Sequence, residues 1–294
     1  MKHIIGLGEI LWDLLPTGRQ LGGAPANFAY HIQSIGLNTI QTYIASCVGN
    51  DKEGHAIRRD LTSLGINHDY LKIDLQHKTG SVRVYLDDHG APDYEITGNV
   101  AWDFIPTISP HFMNSIDAVC FGTLAQRSPL SAQSIITFLD TVPKTALRLF
   151  DINLRQQFYT PDIIHQSLKR ATIFKVNSDE LHCIGSLFNL LGSENQMLAT
   201  LSERYSLQLC ILTKGAQGSL LYTKSQKSVH NGLNVEIKDS VGAGDAFTAA
   251  IAFGVLNNFE LDYIHACANQ LAAFVCSQQG ATPKLPPEII NLFN

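Results

Sequence analysis

The segment "KDSVGAGDAFTAA" (238–250) sets three small residues, Gly242, Ala243 and Gly244, directly before an acid, Asp245, and an apolar run. A glycine-rich turn feeding a helix offers backbone N–H groups, and a helix N-terminus attracts anions, so the turn suits phosphate. A carboxylate there repels phosphate, but it becomes useful when a phosphoryl group is moving to an alcohol. The N–H groups of Gly242, Ala243 and Gly244 can then stabilise the phosphoryl oxygens. Asp245 can take the alcohol proton as the new O–P bond forms. Read alone, the segment is equally an ordinary helix start with an N-terminal acid. It is neither a P-loop nor a dinucleotide fingerprint, because G-x-x-x-x-G-K-[ST] and G-x-G-x-x-G are both absent.

A second glycine cluster, "QLGGAPANFAYHIQSIG" (20–36), lies near the start. Gly22 and Gly23 allow close backbone approach, Pro25 can begin a helix and Gly36 can end it. Asn27 then falls in the first turn, where its amide can donate to and accept from a hydroxyl. A tight loop before a helix is the alternative.

The elements that position these residues follow from hydrophobic patterning. The apolar runs "HIIGLG" (3–8), "AVCFGTL" (118–124), "ALRLFDIN" (146–153), "TIFKVN" (172–177) and "LQLCILTKG" (207–215) alternate with helix-like stretches such as 128–140, 161–170 and 178–191. That alternation predicts a parallel sheet covered on both faces. In "SVRVYLDDHGAPDYEI" (81–96), Val82, Val84 and Leu86 alternate with Ser81, Arg83 and Tyr85, and turn residues follow. A two-sided hairpin does not belong inside a buried parallel sheet. It is either a flap projecting from the core, such as a lid, or an ordinary edge hairpin.

The 294 residues permit one large α/β domain or two smaller ones, and 45% hydrophobic residues suffice for a core. A net charge of −5 without a basic run argues against nucleic acid and against a polybasic membrane patch. The longest apolar tract (246–256) is too short to span a bilayer, and no signal peptide is visible. Six scattered cysteines, with no C-x-x-C pair, read as reduced core thiols in a cytosolic protein. The eleven histidines show no metal-ligand spacing.

Taken together, "GGAPANFA" and "DSVGAGDAF" resemble the two signatures of the ribokinase-like sugar kinases, the phosphofructokinase-B family. The resemblance covers essentially the whole chain, and "GEILWD", "FGTLAQR" and "DINLR" look most like bacterial fructokinases. It implies a single domain over 1–294, a three-layer α/β/α core with a mainly parallel sheet, and a small β-sheet lid from about 10–21 and 79–98. It implies an ATP- and Mg²⁺-dependent kinase acting on a primary sugar hydroxyl, D-fructose giving fructose 6-phosphate in the first instance. Kinases for ribose, 2-keto-3-deoxygluconate or a nucleoside are the alternatives within the class, and a non-catalytic sugar sensor is the alternative outside it.

The residue roles are carried over from the same resemblance. Asp245 matches the base, and Gly242, Ala243 and Gly244 match the anion hole. Arg155 matches an arginine near the reacting groups. Asp13, Gly23 and Asn27, with Gly22 beside them, match the sugar site, and Arg83 would join Arg155 on a sugar acid's carboxylate. Asn177 and Glu180 match an N-x-x-E element that organises Mg²⁺ and the phosphates through water. Thr213, Lys214, Gly215 and Gly218 match the loop beside the nucleotide phosphates, with Lys214 touching phosphate, and Asn269 falls where adenine is contacted. Asp239 and Val241, with residues 277–284, match backbone ligands of K⁺. Lys284 stands where many members have serine, and its ammonium could weaken or replace that ion. Trp12, Phe28 and Tyr85 could wall a sugar ring, and the Val82, Val84 and Leu86 face could pair two lids into a homodimer.

Overall fold

The computed structural model describes residues 1–15, 18–86, 92–109 and 115–294. Thirteen strands are present among them: β1 (Lys2–Leu7), β2 (Leu11–Leu15), β3 (Gly18–Gly22), β4 (Ile40–Gly49), β5 (Leu71–Asp74), β6 (Gly80–Leu86), β7 (Pro92–Ile96), β8 (Ile116–Phe121), β9 (Leu147–Asp151), β10 (Ile173–Asn177), β11 (Leu209–Thr213), β12 (Ser219–Tyr222) and β13 (Lys227–His230). The helices are α1 (Ala24–Gly36), α2 (Lys52–Ser63), α3 (Pro129–Thr141), α4 (Pro161–Arg170), α5 (Ser178–Phe188), α6 (Glu194–Tyr205), α7 (Ala243–Leu256), α8 (Leu261–Cys276) and α9 (Pro287–Ile290).

Nine strands form one sheet in the order β13-β12-β11-β10-β9-β8-β1-β4-β5. From β5 to β11 all pairs are parallel, while β11, β12 and β13 pair antiparallel. The mainly parallel sheet is therefore present, with an antiparallel edge that the sequence reading ended too early to include. Parallel neighbours need crossovers, and the crossover helices cover both faces. Ile5 and Leu7 of β1, with Phe150 and Phe174, pack into one apolar layer, while Ile4, Leu149 and Ile173 pack into the other with α7 and α8 residues such as Ile251 and Leu271. The phenylalanines of three adjacent strands stack along one face, Phe121 to Phe150 at 5.2 Å and Phe150 to Phe174 at 5.7 Å.

A separate four-stranded sheet has the order β3-β2-β6-β7. Its β6–β7 pair is the hairpin expected from the alternation at 81–96, and β2 lies parallel to β6. The turn at 87–91, and the side chains of Val84, Tyr85 and Leu86, lie outside the described residues, so the readings placed on them do too.

α7 is apolar on all sides because it is sandwiched between α1 and α8, and Gly254 lets α8 approach, with Ile264 packed against it. No helix among the described residues is long and apolar enough to cross a membrane, and all six cysteines are free thiols.

Candidate active site

Two helix N-termini converge. Gly23 is the N-cap of α1 with φ 106°, and a Cβ there would lie 2.5 Å from the Glu9 carbonyl oxygen. Gly242 is the N-cap of α7 with φ 79°, and a Cβ there would lie 2.5 Å from the Ala281 carbonyl oxygen. Both positions require glycine for conformation and for space. Because α1 packs on α7, Asn27 Nδ2 donates to Asp245 Oδ2 at 2.8 Å. Asn27 is 4% exposed, yet its Oδ1 has no partner. A buried amide oxygen left open is costly, and a substrate hydroxyl would satisfy it. The first-turn N–H groups of α7 have no helical acceptor and stand beside this pair.

The electrostatics favour proton transfer. Burial, then the Asp151 charge, raises Asp245 to about 7, against the lowering effects of the Asn27 hydrogen bond, Lys175 and Arg155. Asp245 is only half-buried, so it keeps a face for a reactant. Burial also raises Asp13 to about 6, with Arg155 opposing and Asp239 adding to the shift. The Asp13 carboxylate occupies the space that a side chain at Gly22 would fill. Arg155 is exposed on the loop after β9, donates from Nη1 to the Leu154 carbonyl at 3.2 Å, and its charge acts on Glu9, Asp13 and Asp245. A carboxyl near neutral pKa, a hydroxyl acceptor beside it and the N–H groups of a helix start, of which Ala243 N donates to the Ser240 carbonyl only at 3.4 Å, suit deprotonation of an alcohol facing an anionic group.

Arg83 is not part of this cluster. Asp13 pairs with Val82 and Leu14 with Arg83, so strand alternation puts Arg83 on the opposite face of the small sheet from Asp13. Trp12 and Phe28 are core residues, 3% and 1% exposed, and Trp12 Nε1 donates to the Glu53 carbonyl. They do not wall the site. Val82, expected on an exposed pairing face, is buried.

On the far side of α7 several expected residues already have partners. Asn177 and Glu180 form a capping box on α5: Asn177 Oδ1 accepts from Glu180 N at 2.8 Å, and Glu180 Oε2 accepts from Asn177 N at 2.8 Å. Glu180 Oε1 accepts from Leu154 N at 2.9 Å, so both carboxylate oxygens hold backbone N–H groups. Lys214, expected to touch phosphate, is ion-paired with Glu194 at 2.6 Å in this structure, with both side chains partly exposed. Asn269, expected near adenine, has Nδ2 donating to the His265 carbonyl and Oδ1 accepting from Ser219. Thr213 ends β11, and Gly215 (φ 55°) and Gly218 (φ 91°) shape the turn after it. Asp239 ties the anion turn to the 277–284 loop by accepting from Val241 N and Gly280 N, both at 3.0 Å. Lys284 is exposed. Among the described residues no group of three or more His, Cys, Asp or Glu could hold a metal ion.

Three buried groups escaped the sequence reading. Lys175, on β10, donates to Asp151 on β9 at 3.0 Å, directly beneath the 242–245 turn. Glu9, 2% exposed and raised by burial to about 7, lies behind the α1 N-terminus with Oε2 unpartnered. The signal for Lys175 was present as a lone charge inside the apolar strand "TIFKVN".

A profile of the pfkB family of carbohydrate kinases matches residues 17–288. A fructokinase of Escherichia coli is 27% identical, with 95% of each chain covered. Among solved structures, the ATP-bound fructokinase of Xylella fastidiosa superposes with a TM-score of 0.86 at 21% identity, covering 99% of this chain and 97% of that one. The aminoimidazole riboside kinase of Salmonella enterica, solved with its riboside and an ATP analogue, superposes with a TM-score of 0.81 at 22% identity, covering 99% of each chain.

Proposed function

This chain belongs to the pfkB family of carbohydrate kinases, ATP-dependent phosphotransferases, and we propose that its acceptor is a primary hydroxyl of a neutral sugar, D-fructose, giving fructose 6-phosphate. The observation that carries the reading is the Asn27–Asp245 hydrogen bond with the open Asn27 Oδ1 beside it. A sugar hydroxyl donates to that oxygen, and Asp13 accepts a second one. Asp245 takes the proton of the attacking hydroxyl, and the N–H groups at the start of α7 hold the phosphoryl group in transit. Arg155 lies where it can meet the phosphoryl oxygens. Glu180, whose carboxylate oxygens already hold the Leu154 and Asn177 N–H groups, would face a nucleotide-bound Mg²⁺ through water, and the ion would supply charge neutralisation of the phosphates. The small sheet acts as a lid that keeps competing water away from the phosphoryl group.

Charge favours fructose over a sugar acid. Glu9, Asp13 and Asp245 are faced by Arg155 and, at Asp245, by Lys175, which Asp151 already pairs, while Arg83 lies on the opposite face of the small sheet. An anionic substrate would meet more negative than positive charge. The E. coli fructokinase, 27% identical, supports the same sugar.

The test is a panel of fructose, ribose, 2-keto-3-deoxygluconate and aminoimidazole riboside with MgATP, following ADP release and product by phosphorus NMR. Fructose should give the highest kcat/KM. Faster turnover of a riboside or a sugar acid would overturn the fructose assignment, and sugar binding with no phosphorylated product would favour a sensor.

A further inference from the structure

Strand β10 reads Ile-Phe-Lys-Val-Asn, and its lysine, 9% exposed, is flanked by fully buried Phe174 and Val176. An ammonium cannot sit there unpaired. Its Nζ lies 3.0 Å from Asp151 Oδ1, and Asp151 Oδ2 accepts from Thr248 Oγ1 at 3.0 Å. Thr248 is one turn beyond Gly244 on α7 and is also 3.0 Å from the Gly244 carbonyl. A Cβ added at Gly244 would lie 3.2 Å from Lys175 Nζ, so the amine sits against the underside of the anion turn. The pair is thus hydrogen-bonded, through Thr248, to the helix that carries Asp245.

The charges that face Asp245 come from several elements. β9 brings Asp151, β10 brings Lys175, and the loop after β9 brings Arg155. β8 brings the Cys120 thiol, which burial keeps protonated. α1 brings neutral Asn27 and His31, whose pKa burial lowers to about 4. Further out, Glu9 faces Cys120, Asp13 and Asp239 face one another near Arg155, and Glu180 faces Lys175. Lys175 is the only buried cation in this set. Burial works against its charge, but Asp151, Glu180 and Asp245 outweigh that and hold it protonated.

We propose that Lys175 and Asp151 form a positioning pair that sets the ionisation of Asp245: the ammonium favours the carboxylate form of Asp245, and Asp151 fixes the ammonium beneath Gly244. Without Lys175, two carboxyls would share one buried region and Asp245 would hold its proton into the alkaline range. Without Asp151, the ammonium would act on Asp245 unopposed. The inference rests on the reading of Asp245 as the proton acceptor.

The experiment is the pH dependence of kcat/KM for Lys175→Met, Lys175→Arg and Asp151→Asn, paired with carbon-detected NMR titration of the Asp245 carboxyl in the full chain. Lys175→Met should raise the acid-limb midpoint by about one pH unit or more, as expected for removal of an opposite charge at close range. Lys175→Arg should restore it. Asp151→Asn should move it the other way, to lower pH. Asp151→Asn is isosteric and keeps hydrogen bonds to both neighbours, so it carries the test alone if Lys175→Met does not fold. Midpoints that stay fixed while melting temperatures fall would reduce the pair to a structural role and overturn the inference. Shifts of the same sign from Lys175→Met and Asp151→Asn would overturn it too. The NMR titration reports the pair even if Asp245→Asn proves active, so failure of the base assignment and failure of this inference give different results.

Discussion

Asn27 and Asp245 stand 218 residues apart in sequence and share a 2.8 Å hydrogen bond, the amide of one helix's first turn donating to the carboxylate of another's. On the proposed reading the bond orients the acid and leaves the amide oxygen, which has no partner, open to a sugar hydroxyl. Asn27→Ala removes both functions. We expect kcat/KM for the sugar to fall about 100-fold or more, with both kcat and KM affected. The acid limb of the pH profile should also move upward, because a hydrogen bond that lowers the Asp245 pKa is lost. An effect on KM alone would show that Asn27 binds without orienting.

Asp245 must be ionised to accept a proton, and its pKa is raised to about 7. Activity should therefore fall as pH drops through about 7 and level off above it. Asp245→Asn should cost on the order of 100- to 10,000-fold in kcat, the usual range for a positioned acid–base group. Sugar affinity, measured by calorimetry, should change little. Steady-state rates within a few-fold of the parent would end the base assignment.

The same raised pKa predicts a stability effect of definite sign. In the unfolded chain Asp245 ionises near the ordinary value of 3.8, whereas in the fold it holds its proton to about 7. Between those values the fold binds more protons than the unfolded chain, so the contribution of Asp245 to stability falls as pH rises through that window. Asp245→Asn should then melt higher than the parent, with a larger gain at pH 8 than at pH 4.5. Equal gains at both values would mean the carboxyl is not strained by its surroundings.

Gly242 and Gly244 should respond differently to alanine. At Gly242 the φ of 79° and the Ala281 backbone both oppose a side chain, so Gly242→Ala should lose about 1–3 kcal/mol of stability together with activity. At Gly244 the nearest obstacle is the flexible end of Lys175, which can give way. Gly244→Ala should stay close to the parent in melting temperature and lose activity by disturbing the pair beneath it. Thermal melts beside initial rates distinguish the two cases.

His31 is fully buried, its Nε2 lies 2.8 Å from the Ala281 carbonyl oxygen, and burial lowers its pKa to about 4. The neutral ring donates from Nε2. The unfolded chain takes up a proton near 6.5, so the His31 contribution is present above that pH and is lost as pH falls toward 4. A His31→Gln variant should show a shallower loss of stability across that interval than the parent. A parallel curve would mean that the ring is protonated without cost.

Much of this arrangement could be read from residue order because its parts are local. The turn at 242–245 and the α1 start at 23–27 each need glycine, a helix and one polar side chain within a few positions. β6 and β7 were legible because one face alternates. β4 was not, because Thr42 and Ser46 are buried as deeply as Ile44 and Ala45, so no polar face marks the strand. Partners that arise only from packing also escaped. Lys214 finds Glu194 and Asn269 finds Ser219 across separate elements, and no short motif encodes either meeting. The alternation that revealed β6 also excluded Arg83, but only once β2 was known to pair with it in this register.

Tyr30 donates to the Pro283 carbonyl at 2.9 Å while His31 holds Ala281, so the first helix grips a loop 250 residues further along the chain. The helix that carries Asn27 and the loop whose Ala281 backs Gly242 are thereby tied side by side, so a substitution in either would be felt at both glycine turns.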